Sequence, residues 1–303
     1  MEKEIVECIE QKGPLTGSDI KKVFSADSLT LWQTCKHSKK LIIKRVGRRY
    51  LRLDSRVNGF ARLSPSILRE FLTYSVIGLD VDPASISKKA REVSSHIEKV
   101  SKDKLDLAHS FVLNIQEQLG DKWRKEYQTC FVIAGDIVYK MAHDVPRPEQ
   151  STGRIVKGSD IDLVVVLEDR LPEEFVESLD DSIYQEKYRI LTSPLFREEV
   201  DYVVKRRSRV REQVQFDTFK DMVACKILDE GILLHGSEAF FASIKALLHE
   251  HGVTEKLRDL KKRAEGFRKD AEEHLLYAGH DMAEDQSLYL FYTNQESEEF
   301  DFE

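Results

Sequence analysis

The chain has no two cysteines at metal-binding or redox spacing. Cys8, Cys35, Cys130 and Cys225 stand isolated along 303 residues, the pattern of reduced thiols that fill cores in a cytosolic protein. It also lacks an apolar run approaching the roughly 20 residues that span a bilayer, so no membrane partner is expected. The opening Met1-Glu2-Lys3-Glu4 has no apolar signal core, and a cytoplasmic location is the expectation. Basic residues are absent from Glu272 to Glu303, and the formal net charge of −7 argues against a uniformly basic nucleic-acid coat. With 41% hydrophobic and 33% charged residues, the chain can build two or three modest domains with real cores.

What the chain does contain is Gly158-Ser159-Asp160-Ile161-Asp162-Leu163-Val164-Val165-Val166-Leu167. The branched apolar run reads as a strand buried on both faces of a sheet. Asp160 and Asp162 open that strand. Strand side chains alternate, so the two point to one face with Cα atoms roughly 6.5 Å apart. At an effective dielectric of about 20 such a pair repels by roughly 2 to 3 kcal/mol. A divalent cation relieves the repulsion, because Mg²⁺ is commonly held by one or two carboxylates with phosphates and water completing its octahedron. The alternative is a solvated strand entrance in which Ser159 and Asp160 are turn residues. A third carboxylate, Asp201, lies in Glu198-Glu199-Val200-Asp201-Tyr202-Val203-Val204-Lys205, which reads as a neighbouring strand. Three carboxylates from two adjacent strands suit two Mg²⁺ ions, or Mn²⁺ in their place.

These residues resemble the polymerase-β-like nucleotidyltransferase superfamily, whose pattern is a strand ending in Gly-Ser, a short helix, an Asp-x-Asp strand and a third acid on the next strand. Thr129-Cys130-Phe131-Val132-Ile133-Ala134 followed by Gly135-Asp136 takes the place of the first strand and turn. Asp160, Asp162 and Asp201 match the three acids, and Ile232-Leu233-Leu234-His235-Gly236 is similar to the short strand and glycine turn that follow the core. The resemblance covers about residues 128 to 250. It implies that Asp160 and Asp162 bind two metal ions, and that Asp201 holds the catalytic one and helps deprotonate the acceptor. It further implies that an NTP is met by Gly135, Asp136 and Ser159, and by Lys226 on a helix expected from Phe216 to Leu228.

The sequence departs from the family pattern in two places. Asp136 stands where the family usually has Ser, and an acid there repels phosphate unless a metal or a base intervenes. The segment from Asp136 to Asp160 is long and carries Pro146, Arg147, Pro148, Gly153, Arg154 and Lys157; it is either a basic loop closing over the triphosphate or an ordinary surface insertion. Gly158-Ser159 is an alternative phosphate-binding pair, although no helix separates it from Asp160. The run Lys205-Arg206-Arg207-Ser208-Arg209-Val210-Arg211 either lines the path of triphosphate or acceptor or is a solvated charged face.

Residues 1–56 read as a winged helix-turn-helix. Ile5, Val6 and Ile9 mark a first helix ended by Gly13-Pro14; Thr16 or Ser18 caps a second and Asp27 or Ser28 a third. Leu41 to Leu53 is expected to form two strands around Gly47, the wing. Lys36, Lys39, Lys40, Lys44, Arg45, Arg48, Arg49, Arg52 and Arg56 gather here against Asp54 alone, the footprint of a nucleic-acid reader or of a basic face docked on the chain's own acids. Residues 57–127 are expected to be a helical bridge, with Ser64 capping a helix and a long apolar periodicity running from Asp82-Pro83 to Gly120 as one helix or two. A nucleotidyltransferase core at 128–250, a C-terminal helix at 251–285 and an acidic tail at 286–303 complete the division. The tail is expected to be disordered or to dock on the basic wing. The fold class is therefore α+β: winged helix-turn-helix, helical bridge, mixed-sheet core and C-terminal helices.

The leading functional expectation is an Mg²⁺-dependent enzyme that moves a nucleoside monophosphate from an NTP to a hydroxyl, with RNA or tRNA as acceptor in a defence or toxin system. A nucleic-acid-binding regulator that senses a nucleotide without turning it over, and a synthase of a small or cyclic nucleotide messenger, are the alternatives.

Overall fold

Apolar periodicities and capping residues set most element boundaries. In the computed structural model, which describes residues 1–124, 126–277 and 286–292, the elements in chain order are α1 (Glu2–Lys12), β1 (Leu15–Thr16), α2 (Gly17–Val23), α3 (Ser28–His37), β2 (Leu41–Arg45), β3 (Tyr50–Leu53), β4 (Ala61–Ser64), α4 (Ile67–Thr73), β5 (Ser75–Leu79), α5 (Pro83–Leu119), β6 (Thr129–Ile133), β7 (Pro146–Pro148), β8 (Ile155–Lys157), β9 (Ile161–Leu167), α6 (Glu173–Thr192), β10 (Val200–Arg206), α7 (Arg207–Gln213), α8 (Phe219–Glu230), β11 (Ile232–Gly236), α9 (Glu238–Glu250), α10 (Val253–Tyr277) and α11 (Gln286–Tyr292). The fold is mixed α+β, with both parallel and antiparallel pairings. Among the described residues no helix is long and apolar enough to cross a membrane. The acidic stretch after Tyr292, expected as a tail, lies outside the described residues.

Two compact units divide the chain, one built from Met1–Ile97 and the described part of Asp259–Glu296, the other from Glu98–Arg258. In the first, Gly13 at φ 78° stops α1. Thr16 and Asp19 form a reciprocal capping box on α2, and Asp27 caps α3. The sheet order is β1-β5-β2. Strands do form over Leu41–Arg45 and Tyr50–Leu53, but the expected hairpin between them does not. β2 pairs antiparallel with β5, and the Val46 amide extends that ladder to the Tyr74 carbonyl at 2.8 Å. β3 turns to β4 instead. The stretch Phe60 to Leu79, read as a helix, holds two strands around a short one. Ile67 and Phe71 do make a helical face, but Ser66 rather than Ser64 caps it, and the β-branched pair Val76-Ile77 then supplies the buried centre of the sheet. A division at residue 56 would therefore cut this sheet.

The first core gathers Ile5, Ile20, Leu31, Trp32, Phe71 and Ile77 with Ala271 and Leu275 of α10 and Leu290 and Phe291 of α11. So Gln286–Tyr292, read as the start of the tail, is a helix whose aromatic residue meets Trp32 edge-on at 5.7 Å. An ion network closes the unit. Arg49 donates twice to Glu70 at 2.6 Å and once to Glu272 at 2.7 Å. The buried Arg268 donates to Glu272 at 2.7 Å and to the Pro65 carbonyl at 2.8 Å.

In the second unit the sheet order is β10-β9-β6-β11; β9 and β10 run parallel, and β6 is antiparallel to both its neighbours. Leu163 to Leu167 are at most 1% exposed, as a central strand covered on both faces requires. One face packs on Phe111, Ile115, Phe175, Leu179 and Ile183 of α5 and α6. Val132, Val164 and Val166 are equally buried, and α9 packs against β6. The periodicity from Pro83 to Leu119 is one uninterrupted helix, and so is α6.

Burial raises the Glu70 carboxyl, but the guanidinium groups of Arg49 and Arg268 more than offset this and hold it below the usual 4.5. Its contribution to stability is therefore present above about pH 4.5 and lost as pH falls below that value. Glu70→Ala leaves the buried Arg268 and the half-buried Arg49 short of a partner and is expected to cost about 3 to 5 kcal/mol. Urea unfolding in a Trp123→Phe background, where Trp32 is the reporter, measures it; a loss under about 1 kcal/mol would show the network to be dispensable.

Candidate metal centre

Parallel pairing of β9 with β10 sets Asp201 directly opposite Asp162. Facing residues of neighbouring strands share a face about 4.8 Å apart. Asp160 immediately precedes β9. One carboxylate oxygen from each of Asp160, Asp162 and Asp201 lies within 4.8 Å of the others. This brings together the three residues that the sequence marks as metal ligands.

β6 ends beside them. The Ala134 amide donates to the Asp162 carbonyl at 3.0 Å, and the chain then turns through Gly135 at φ 67°. A Cβ at this position would lie 1.9 Å from Asp162 Oδ2, so the turn accepts only glycine. The Gly135 amide donates to Glu230 Oε1 at 3.3 Å, Tyr139 donates its hydroxyl proton to Glu230 Oε2 at 2.6 Å, and Lys226 pairs with Glu230 at 2.9 Å. Lys226, expected on a triphosphate, is 3% exposed and its ammonium is 2.9 Å from Glu230. Asp136 accepts the Ser159 hydroxyl proton at 2.6 Å, and the Ser159 oxygen accepts from the His143 amide at 3.1 Å. The two turns weighed for phosphate binding, Gly135-Asp136 and Gly158-Ser159, are thus side by side.

The long insertion is a hairpin of β7 and β8. Arg154 is exposed and Lys157 reaches the Leu195 carbonyl, while Arg147 turns inward. Its Nε donates to the Gly158 carbonyl at 2.7 Å, Nη1 lies 2.7 Å from Glu199, and Nη2 lies 3.6 Å from Asp160. On the other side Lys187 of α6 pairs with Asp201 at 3.2 Å. Sequence reasoning missed Glu199 and Lys187. Glu199-x-Asp201 repeats the alternation of Asp160-x-Asp162, which is a usable signal; Lys187 has none.

Arg147 faces Asp160 and Glu199, and Lys187 faces Asp201. Burial, then the charge of Asp160, pushes Asp201 up to about 6 against the pull of Lys187. Burial also pushes Glu199 up to about 7; Arg147 opposes this, and Asp201 and Asp160 add to it. Asp160 Oδ2 is buried without a hydrogen bond, a state that costs about 1 to 3 kcal/mol or more for a charged group. An all-oxygen set with an unsatisfied buried carboxylate oxygen fits a hard dication such as Mg²⁺ or Mn²⁺. These three acids are also the cluster that stands out among the described residues as able to hold an ion.

The basic run does not join them. Arg206 ends β10, five residues beyond Asp201, or roughly 16 Å along the strand. There it pairs with Glu173, Arg211 pairs with Asp169, and Lys205 donates to Gln213 with burial lowering its ammonium to about 8. In the first unit, Lys39, Lys40, Lys44, Arg45 and Arg48 are exposed as a nucleic-acid contact requires, Lys44 also reaching Ser87 at 3.0 Å. Arg49 is committed to the ion network and does not join them. No protein-family model matches the chain, and no curated protein matches it.

Mn²⁺ or Mg²⁺ at about a hundred times its dissociation constant stabilises a single-site protein by about 2.7 kcal/mol, which is expected to raise Tm by about 5 to 10 °C. Protonation of Asp201 near pH 6 competes with the ion, so the increment shrinks from pH 7.5 to pH 5. The metal-free protein moves the other way, regaining stability as the raised carboxyl protonates. Thermal melts with and without Mn²⁺ check both, and Asp201→Asn is expected to remove most of the increment.

Proposed function

We propose that this chain is a divalent-metal-dependent nucleotidyltransferase that transfers a nucleoside monophosphate from an NTP to a hydroxyl of RNA. The observation that carries the reading is the convergence of Asp160, Asp162 and Asp201 within 4.8 Å, beside a glycine turn that leaves no room for a side chain. The glycine turn and the acidic pattern are the features on which the resemblance to polymerase-β-like nucleotidyltransferases rests. Asp160, Asp162 and Asp201 would hold the ions. When bound, they supply charge stabilisation to the phosphoryl group and lower the pKa of the attacking hydroxyl. The acceptor oxygen bonds to the α-phosphorus as the bond from that phosphorus to the bridging oxygen breaks, and pyrophosphate leaves. Asp201 would take the hydroxyl proton, the role that the resemblance gives it.

RNA as the partner is supported by the first unit. Three helices enclosing a β1-β5-β2 sheet follow the order of a winged helix, with the wing expanded into the chain between β2 and β5. Lys39, Lys40, Lys44, Arg45 and Arg48 lie exposed around it. The sensor reading is favoured by one observation: the Gly135 amide is already engaged by the Glu230 carboxylate.

Two measurements test these readings. Incubation with each α-labelled NTP, Mn²⁺ and total RNA is expected to move label into RNA, and Asp162→Asn to reduce this by at least about 10³-fold. Label confined to a small product would replace this reading with messenger synthesis, and NTP binding without any transfer would replace it with sensing. Replacing Lys39, Lys40 and Arg48 together by Ala is expected to weaken RNA binding across sequences and to reduce the logarithmic salt slope by about 2 to 3. An unchanged slope would remove these residues from the interface.

A further inference from the structure

Arg147 is held in place by its own backbone. It lies between Pro146 and Pro148, whose rings fix their φ angles, and it pairs with Val156 across the hairpin. Its Nε bond to the Gly158 carbonyl sets the plane of the guanidinium. The outer nitrogens then fall between Asp160 and Glu199.

The resulting contacts set one guanidinium between two carboxylates. Arg147 Nη2, Asp160 Oδ2 and Glu199 Oε2 are all buried, and none of these atoms makes a hydrogen bond of good geometry. They are three of the six such side-chain atoms among the described residues. A buried pair that serves only stability repays its desolvation through well-formed hydrogen bonds. Here Nη1 reaches Glu199 at 2.7 Å, whereas Nη2 approaches Asp160 only to 3.6 Å, by proximity of charge without that geometry, and Asp160 is a candidate metal ligand. A dication at Asp160 and a guanidinium 3.6 Å from the same carboxylate repel each other and compete for one anion.

We propose that Arg147 is the internal counter-cation of the carboxylate cluster: it neutralises Asp160 and Glu199 in the metal-free protein, competes with the divalent ion, and thereby sets the affinity of the site. Glu199 acts through Arg147, drawing the guanidinium away from Asp160. The inference rests on the metal reading given above and adds to it a residue that controls loading.

Titration calorimetry with Mn²⁺ alone on the full chain at pH 7.5 tests it. Arg147→Gln is expected to bind Mn²⁺ about tenfold more tightly or better, and Arg147→Lys, which keeps the charge, to stay within about threefold of wild type. Glu199→Gln is expected to weaken binding in the wild-type background and to change little in the Arg147→Gln background. Circular dichroism checks that each variant is folded, and Arg147→Met replaces the Gln variant if that one is not. Unchanged or weaker binding by folded Arg147→Gln, with wild type still binding, would overturn the counter-cation role while leaving the metal reading standing. Equal weakening by Glu199→Gln in both backgrounds would make Glu199 a ligand in its own right and overturn its action through Arg147. Failure of both wild type and Arg147→Gln to bind Mn²⁺ would overturn the metal reading together with this inference.

Discussion

Mutual repulsion among carboxylates is the constraint around which the second unit is built. With oxygens within 4.8 Å, each pair costs roughly 3 to 4 kcal/mol at an effective dielectric of about 20. A strand register that enforces this must be strongly held. Leu163 to Leu167 are almost wholly buried, and each such side chain contributes about 1.5 to 3 kcal/mol relative to exposure. Sliding β10 by one residue would turn Asp201 to the opposite face and, with it, send Val200 out of the core. The apolar register therefore fixes the acidic one, and the sheet keeps in place a charge arrangement that it would not select for stability alone.

The two units handle buried charge in opposite ways. In the first, Glu70 and Glu272 are matched by Arg49 and Arg268 through short, directed hydrogen bonds, and the Glu70 carboxyl is held below its usual range. In the second, Asp201 and Glu199 are pushed up to about 6 and about 7, and Asp160 Oδ2 is buried without a hydrogen bond. The first network meets its carboxylates with directed bonds, although Arg268 Nη2 there is also buried without one. In the second the carboxyls are pushed toward the protonated form, which a bound cation would relieve.

Much of the site was legible in the sequence because its signals are local. Alternation places Asp160 and Asp162 together, and an apolar run of five, Leu163 to Leu167, marks β9; Asp201 follows from the next strand-like run. Helix caps at Thr16 and Asp27 were equally readable, because a cap is decided within four residues. Pairing partners were not. β2 and β3 are separated by a glycine turn that suits a hairpin, yet β2 joins β5 some thirty residues later because Val76 and Ile77 bury more apolar surface there. Arg49 has the same history: a local basic cluster gave it to a nucleic acid, whereas Glu70 and Glu272, remote in sequence, take it into the fold. The side chain of Lys187 meets Asp201 only through the packing of α6, and no spacing announces that.

The acid at position 136 illustrates how a departure from a pattern can be absorbed by geometry. An aspartate after the turn glycine carries negative charge toward a place where the nucleotidyltransferase pattern puts a hydroxyl. Here the Ser159 hydroxyl is 2.6 Å from that aspartate and donates to it, while the backbone amide of His143 donates to the Ser159 oxygen. The single proton of that hydroxyl is thus given to Asp136, and the bond holds Gly158-Ser159, and with it the backbone that enters Asp160. The same contact ties the end of β6 to the start of β9, so the departure from the pattern also braces the two strands whose ends carry the site.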